Sequence, residues 1–281
     1  MTHEIHPLIP VPKLTDERMK ELLEKYLTKP NKPISRNTRN PESYILLEAK
    51  QHGNYSYPDL LVSMHRLGLT QEVEKAANKL GLILTNTAQE QDGHQYIGNI
   101  NHEHAINLVK ASGLIPVNLR LFVDFLKEVK YCLDGEKKVY DGNKNIIPYD
   151  RLLTAWNEIT KVREPWRSEW FDNRFVKEND KWYTIYYKIN PNGILELAKE
   201  PLEDCLMKNK LPGIDLEDWL ERANSQGLPP KDGKSGSLHC WYPKKDHVAR
   251  FGAFSVWAFL FCCGDPQFSG SGLGIRAAKI N

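Results

Sequence analysis

Two rhythms of apolar residues divide this chain into elements: helical spacing in several stretches and strand spacing in others. Met19, Leu22, Leu23, Tyr26 and Leu27 form one stripe, which predicts a helix over Thr15–Leu27 with Thr15 as N-cap and Asp16 and Glu17 in its first turn. The polar, proline-bearing run 29–41 follows, so 1–40 reads as an N-terminal helical arm and linker, and 41–281 as the body. Within the body, 55–69 mixes a strand-like run with a turn at Gly68. A helix starting at Thr70 ends on Gly81 and leads into a short strand, and 86–100 reads as a turn-rich loop. Asn101 caps a helix that stops on Gly113. After an extended piece with Pro116, the residues Leu119, Phe122, Val123, Leu126 and Val129 mark another helix. Strand–turn–strand character surrounds Asp141-Gly142, and 149–162 reads as helix. Asn192-Gly193 gives the strongest hairpin signal, between two strands over 181–202. A short helix within 216–229 carries Gly227 at its end, and the sum is an α+β fold.

The tail from 248 to 276 changes character. Residues of one parity are small or apolar: Ala253, Ser255, Ala258, Leu260, Cys262, Ser269, Ser271 and Leu273. The interleaved residues share no chemistry: Gly252, Phe254, Val256, Phe259, Phe261, Cys263, Phe268, Gly270 and Gly272, joined by Gly264. On a strand the first set faces inward and the second faces water. A solvent face of bulky phenylalanines and bare glycines predicts a recognition surface, its content free to vary on a fixed frame.

Composition narrows the partners. The 281 residues carry 38 basic against 36 acidic side chains, a formal net charge of +2, which gives no electrostatic reason to expect nucleic acid. No run is long enough to span a bilayer, and the N-terminus lacks a signal-peptide core, so membrane insertion is not expected and synthesis in a cytoplasm is. Five cysteines without framework spacing read as reduced thiols.

Two segments carry a family resemblance. One is 101–129, where helix, glycine, a step Leu114-Ile115-Pro116-Val117 and a second helix follow one another. The other is the tail, with Phe251-Gly252-Ala253, Trp257 and Gly274-Ile275-Arg276. Together they resemble the C-type lectin fold of the formylglycine-generating-enzyme type. The tail alternation is similar to the variable region of diversity-generating retroelement target proteins of phages, bacteria and archaeal viruses, with the archaeal-virus variable proteins as the nearest group. In that family a reverse transcriptase miscopies template adenines, so AAC codons become NNC codons, which cannot encode Trp, Met, Gln, Lys or Glu. Every residue of the outward set is NNC-encodable, Trp257 and Gln267 fall outside it, and asparagine is absent from 248–280. The resemblance implies a non-enzymatic viral or phage-like receptor-binding protein, displayed on a virion. Its ligand would be a protein or glycan on a host or neighbouring cell surface, and oligomerisation is left open. The inward residues would pin the backbone, with Arg250 or Arg276 tying loop carbonyls together.

Other chemistry weighs less. Relatives of the oxidase type use paired cysteines; adjacent Cys262 and Cys263 face opposite sides of a strand, which leaves Cys240 with Cys263 as the conceivable pair. His102 and His104 diverge on a helix and read as a solvated helix start beside Glu103. No cofactor is expected. A structural calcium ion stays open, although the Trp-Asn-Asp triplet of calcium-dependent lectins is absent. Trp166 and Trp170 read as core. A structural assembly subunit, with the tail buried, is the remaining alternative.

Overall fold

Asparagine and threonine caps open three helices of this mixed α+β protein. Thr70 accepts from the Val73 amide at the start of α1 (Gln71–Lys79), and Asn101 accepts from His104 at the start of α2 (His102–Ala111). Asn118 does the same for α3 (Leu119–Leu133), through the Leu121 amide. Two further helices are α4 (Tyr149–Thr160) and α5 (Leu216–Arg222). The computed structural model describes residues 41–83, 88–91, 94–190 and 192–281, all within one compact unit. The arm at 1–40, with its expected helix over Thr15–Leu27, lies outside the described residues.

Two main sheets carry the strands. The smaller joins β1 (Tyr44–Leu47), β4 (Leu60–Ser63), β7 (Ile115–Pro116) and the C-terminal β16 (Ala277–Ile280) in the order β1-β4-β16-β7. The larger joins β8 (Arg167–Glu178), β9 (Lys181–Ile189), β10 (Leu195–Pro201), β11 (Lys210–Ile214), β12 (Leu238–Trp241), β13 (His247–Ala253) and β14 (Ala258–Gly264). Their order is β10-β9-β8-β13-β14-β12-β11, and β15 (Leu273–Ile275) runs parallel to the start of β8. Small hairpins form from β2 (Lys50–His52) with β3 (Tyr55–Tyr57), and from β5 (Ala88–Gln91) with β6 (His94–Ile97). The Asn190–Ile194 turn behaves as expected: Asn190 Oδ1 accepts from Asn192 and Ile194, and Gly193 takes φ +73°.

Helix α3 packs beneath the large sheet, where Phe122 meets Phe171 at 4.5 Å and Phe251 at 5.3 Å between ring centroids. Phe251, Leu260, Cys262 and Leu273 all reach this core. No helix among the described residues is long and apolar enough to cross a membrane.

Several expectations need correction. The loop at 86–100 contains the β5–β6 hairpin, which turn-rich polar composition hides. No strand forms at Leu82–Ile83. Helix α5 ends at Arg222, so Gly227 does not close it; its φ of +84° and its approach to the backbone of Leu119 and Arg120 explain the glycine instead. The longest strand, β8, follows no alternation in exposure because both of its faces are covered over most of its length.

Candidate functional site

The outward parity of the tail gathers on one face of the large sheet. Register pairs Arg250 with Phe261 and Gly252 with Phe259 across β13 and β14, and Trp241 with Phe261 across β12 and β14. These side chains point away from the helix-packed core, and aromatic rings meet there. Phe254 stacks on Phe259 at 5.1 Å, Phe259 meets Phe261 edge-on at 6.2 Å, and Trp241 lies 5.1 Å from Phe261. Trp166 extends the cluster to Phe254 and Phe268, and Trp257 stacks on His239 at 4.8 Å.

Parity fixed the side of the sheet but not exposure to water. Val256 is 66% exposed and Phe268 42%, while Phe254, Phe261 and Gly270 are half-buried. Phe259 is 1% exposed, beneath the rings around it, and Cys263, Gly252, Gly264 and Gly272 are buried as well. The expectation that this whole set looks toward water therefore fails for half of its members. Ser255, Ser269 and Ser271, expected inward, are exposed because they sit in turns, where the alternation of a strand does not operate.

The glycines are not empty pockets. A Cβ on Gly252 would lie 2.6 Å from the Arg167 carbonyl oxygen and 2.6 Å from the tip of the Phe259 ring. On Gly272 it would lie 2.3 Å from the Trp166 carbonyl oxygen, and on Gly264 3.0 Å from that of Val248. Backbone approach demands glycine at the first two of these places. Gly270 instead faces the edge of the Trp166 indole at 2.9 Å.

The frame is held from below and from the sides. Arg276 donates from Nε to Glu169 Oε2 at 2.9 Å, from Nη2 to Glu169 Oε1 at 3.2 Å, and from Nη1 to the Ser63 carbonyl at 2.6 Å. Arg167 donates to Glu169 Oε1 at 2.9 Å, and all three side chains are fully buried. Glu158 joins this seam through His65 Nδ1 at 2.8 Å and Arg167 at 3.7 Å. Burial alone would raise both carboxyls. For Glu169 the guanidiniums of Arg167 and Arg276 outweigh it, and for Glu158 the His65 hydrogen bond with the same guanidiniums does, so both sit below the ordinary range. Arg66 donates to the Gly272 carbonyl at 2.9 Å and lies 3.6 Å above the Tyr96 ring, whose hydroxyl donates to the Ser271 carbonyl. Backbone bonds from Asn99 to Gly270, His102 to Pro266 and Arg163 to Phe254 fasten the two exposed turns.

Arg250 behaves differently from the role expected of it. It ties no carbonyl; its guanidinium carbon lies 4.8 Å from the Phe261 centroid, 5.1 Å from Phe268 and 5.7 Å from both Phe259 and Trp170. Its Nε is sealed from solvent without a hydrogen-bond partner. Burial lowers it to about 10, which leaves it charged at neutral pH. Arg66 is the residue that sequence reasoning missed, while Arg250 and Trp166 were expected in other roles, as a tie of loop carbonyls and as core. Their signal lies in cross-strand register, which a single strand's periodicity does not carry.

Other candidate chemistry resolves locally. His102 is buried, not solvated: its Nε2 lies 2.9 Å from the Phe171 carbonyl oxygen, Trp170 stands edge-on to its ring, and burial lowers it to about 4. Trp170 is core as expected, whereas Trp166 supports the aromatic face. All five cysteines are free thiols. Cys240 and Cys262 lie in the core and Cys263 on the opposite face. Burial pushes Cys240 up to about 12, Cys262 well above its ordinary value, and Cys263 upward too. Among the described residues no group of three or more His, Cys, Asp or Glu side chains is placed to hold a metal ion. No family model, curated protein or solved structure matches this chain.

Proposed function

We propose that this chain is a binding protein that presents the aromatic face of β12, β13 and β14, with its two exposed turns, to a macromolecular ligand. Within that class we read it as the variable protein of a diversity-generating retroelement. Its frame would be a C-type lectin fold of the formylglycine-generating-enzyme type, and its target a surface component of a host or neighbouring cell. The observation that carries the reading is the convergence of Phe254, Phe259, Phe261 and Phe268 into one cluster, over a backbone pinned by buried ion pairs. Rigid support beneath adaptable side chains is the physical requirement for varied recognition. An oxidase would need a thiolate, which burial disfavours at Cys240, Cys262 and Cys263.

Close packing narrows which positions vary. Codons for Phe254, Val256, Phe261, Phe268 and Gly270 are the open ones; Gly252 and Gly272 are closed by backbone contact. The test is sequencing of the DNA beside the gene across a population. The reading expects a near-copy of the 248–276 segment with adenines at the outward codons, a neighbouring reverse-transcriptase gene, and substitutions concentrated at the open codons. A tail that is uniform across the population, with no such copy, would overturn it.

A further inference from the structure

Arg250 is a cation in an aromatic surround without an internal anion. Among the described residues its side chain makes no ion pair and no hydrogen bond, and its sealed Nε leaves the terminal nitrogens as its route to any partner. Two fully buried arginines behave otherwise, since Arg167 and Arg276 both engage Glu169 on the opposite face, and Arg174 of β8, whose Nε is also sealed, does not belong to the aromatic cluster around Arg250. The rings of Phe259, Phe261 and Phe268 surround the guanidinium, with their centroids 4.8 to 5.7 Å from its carbon. Rings supply no hydrogen-bond acceptor, so the terminal nitrogens keep donors that can make two parallel hydrogen bonds to a carboxylate.

The surroundings define what would meet those donors. Of the apolar side chains that reach water, Phe268 stands 5.1 Å from the guanidinium carbon, and Val256 and Trp257 rise from the β13–β14 turn farther along the same face. A sugar brings many hydroxyls that need polar partners, and this cluster offers few. A protein segment with a carboxylate beside an aromatic or aliphatic side chain matches both the lone positive charge and the apolar rim.

We infer that Arg250 is the specificity-determining anchor of the aromatic face and that it receives the carboxylate of an Asp or Glu flanked by apolar residues on a protein partner. This rests on the binding reading proposed above. Formation of the pair within a ring-lined, partly dehydrated setting strengthens the attraction relative to open water.

The test uses the full-length chain and a library of random peptides displayed on phage. Selected peptides should carry an acidic residue next to an aromatic or aliphatic one. The best of them, made synthetically, should bind about tenfold or more tightly than its twin with Gln or Asn in place of the acid. Against Arg250→Gln the two peptides should bind alike, and Arg250→Lys should restore part of the difference. Unchanged thermal melting of both variants establishes that they fold.

Enrichment of apolar peptides without acids would overturn the role of Arg250 and leave the face a binding surface. Selection no better than on a Phe261→Asp chain would overturn both readings. N-acetylneuraminic acid that binds wild type but not Arg250→Gln, with no peptide selected, would replace the protein partner by an acidic glycan and overturn this assignment.

Discussion

Val256 and Gly272 belong to the same outward set of the same C-terminal segment, yet they live under opposite constraints. Val256 projects from the β13–β14 turn with most of its side chain in water, and only the turn backbone, through Phe254 and Trp257, is fixed. Gly272 sits under the Trp166 carbonyl, its own carbonyl held by Arg66 and by the Ser168 amide. The face thus has a rim (Phe254, Val256, Phe268) and a floor (Gly252, Phe259, Cys263, Gly264, Gly272). The difference teaches that display needs residues which are closed to change as much as residues which are open to it. The floor sets where the rim stands.

The largest effect should come from the ion seam on the far side of that floor. Glu169→Gln leaves Arg167 and Arg276 facing each other without their shared carboxylate, so we expect a loss of about 3–5 kcal/mol in urea denaturation at pH 7. Acid should work in the same direction. Glu158 and Glu169 are held below the ordinary glutamate value of 4.5, so the unfolded chain takes up protons first. Their contribution is complete above that value and fades as pH falls beneath it. A Glu169→Gln chain within about 1 kcal/mol of wild type would show that the frame does not depend on the seam.

The glycines separate floor from rim more directly. Gly272→Ala and Gly252→Ala each force a methyl group against a backbone carbonyl oxygen, and each should cost about 2–3 kcal/mol. Gly270→Ala meets a ring edge that can shift, and should cost about 1 kcal/mol or less. Thermal or urea denaturation ranks the three. Equal tolerance at Gly272 and Gly270 would erase the distinction between a constrained floor and an open rim.

Local chemistry made much of the frame legible. Asn101, Gly81, Gly113 and Asn192-Gly193 act at short range, so these caps and turns could be read directly from their neighbours. Alternation likewise placed Leu260 and Cys262 in the core and Phe259 and Phe261 on the other face. What it could not carry was depth. Whether Phe259 meets water depends on Phe254, Trp241 and Arg250, which register and turns bring together. Strand β8 stayed hidden for a related reason: a strand buried on both sides shows no period of two. The β5–β6 hairpin is built mostly from polar residues, and its buried Tyr96 and Ile97 are adjacent at the end of β6, too short a run to show a period.

The smallest expected effect is the one a display surface requires. Val256→Ser removes an exposed side chain from a turn whose backbone bonds, Phe254 to Trp257 and Arg163 to Phe254, do not involve that side chain. Its stability should stay within about 0.5 kcal/mol of wild type. Phe268→Ser should cost slightly more, about 0.5–1 kcal/mol, because that ring also touches Trp166 and Arg250. The informative measurement pairs the denaturation midpoint with affinity for any peptide selected on the wild-type chain. On a true rim, affinity falls while the midpoint holds, since the lost apolar contact belongs to the complex and not to the fold. A midpoint that falls in step with affinity would mean that Val256 supports the floor, and the surface could not then exchange its side chains without loosening the sheet beneath them.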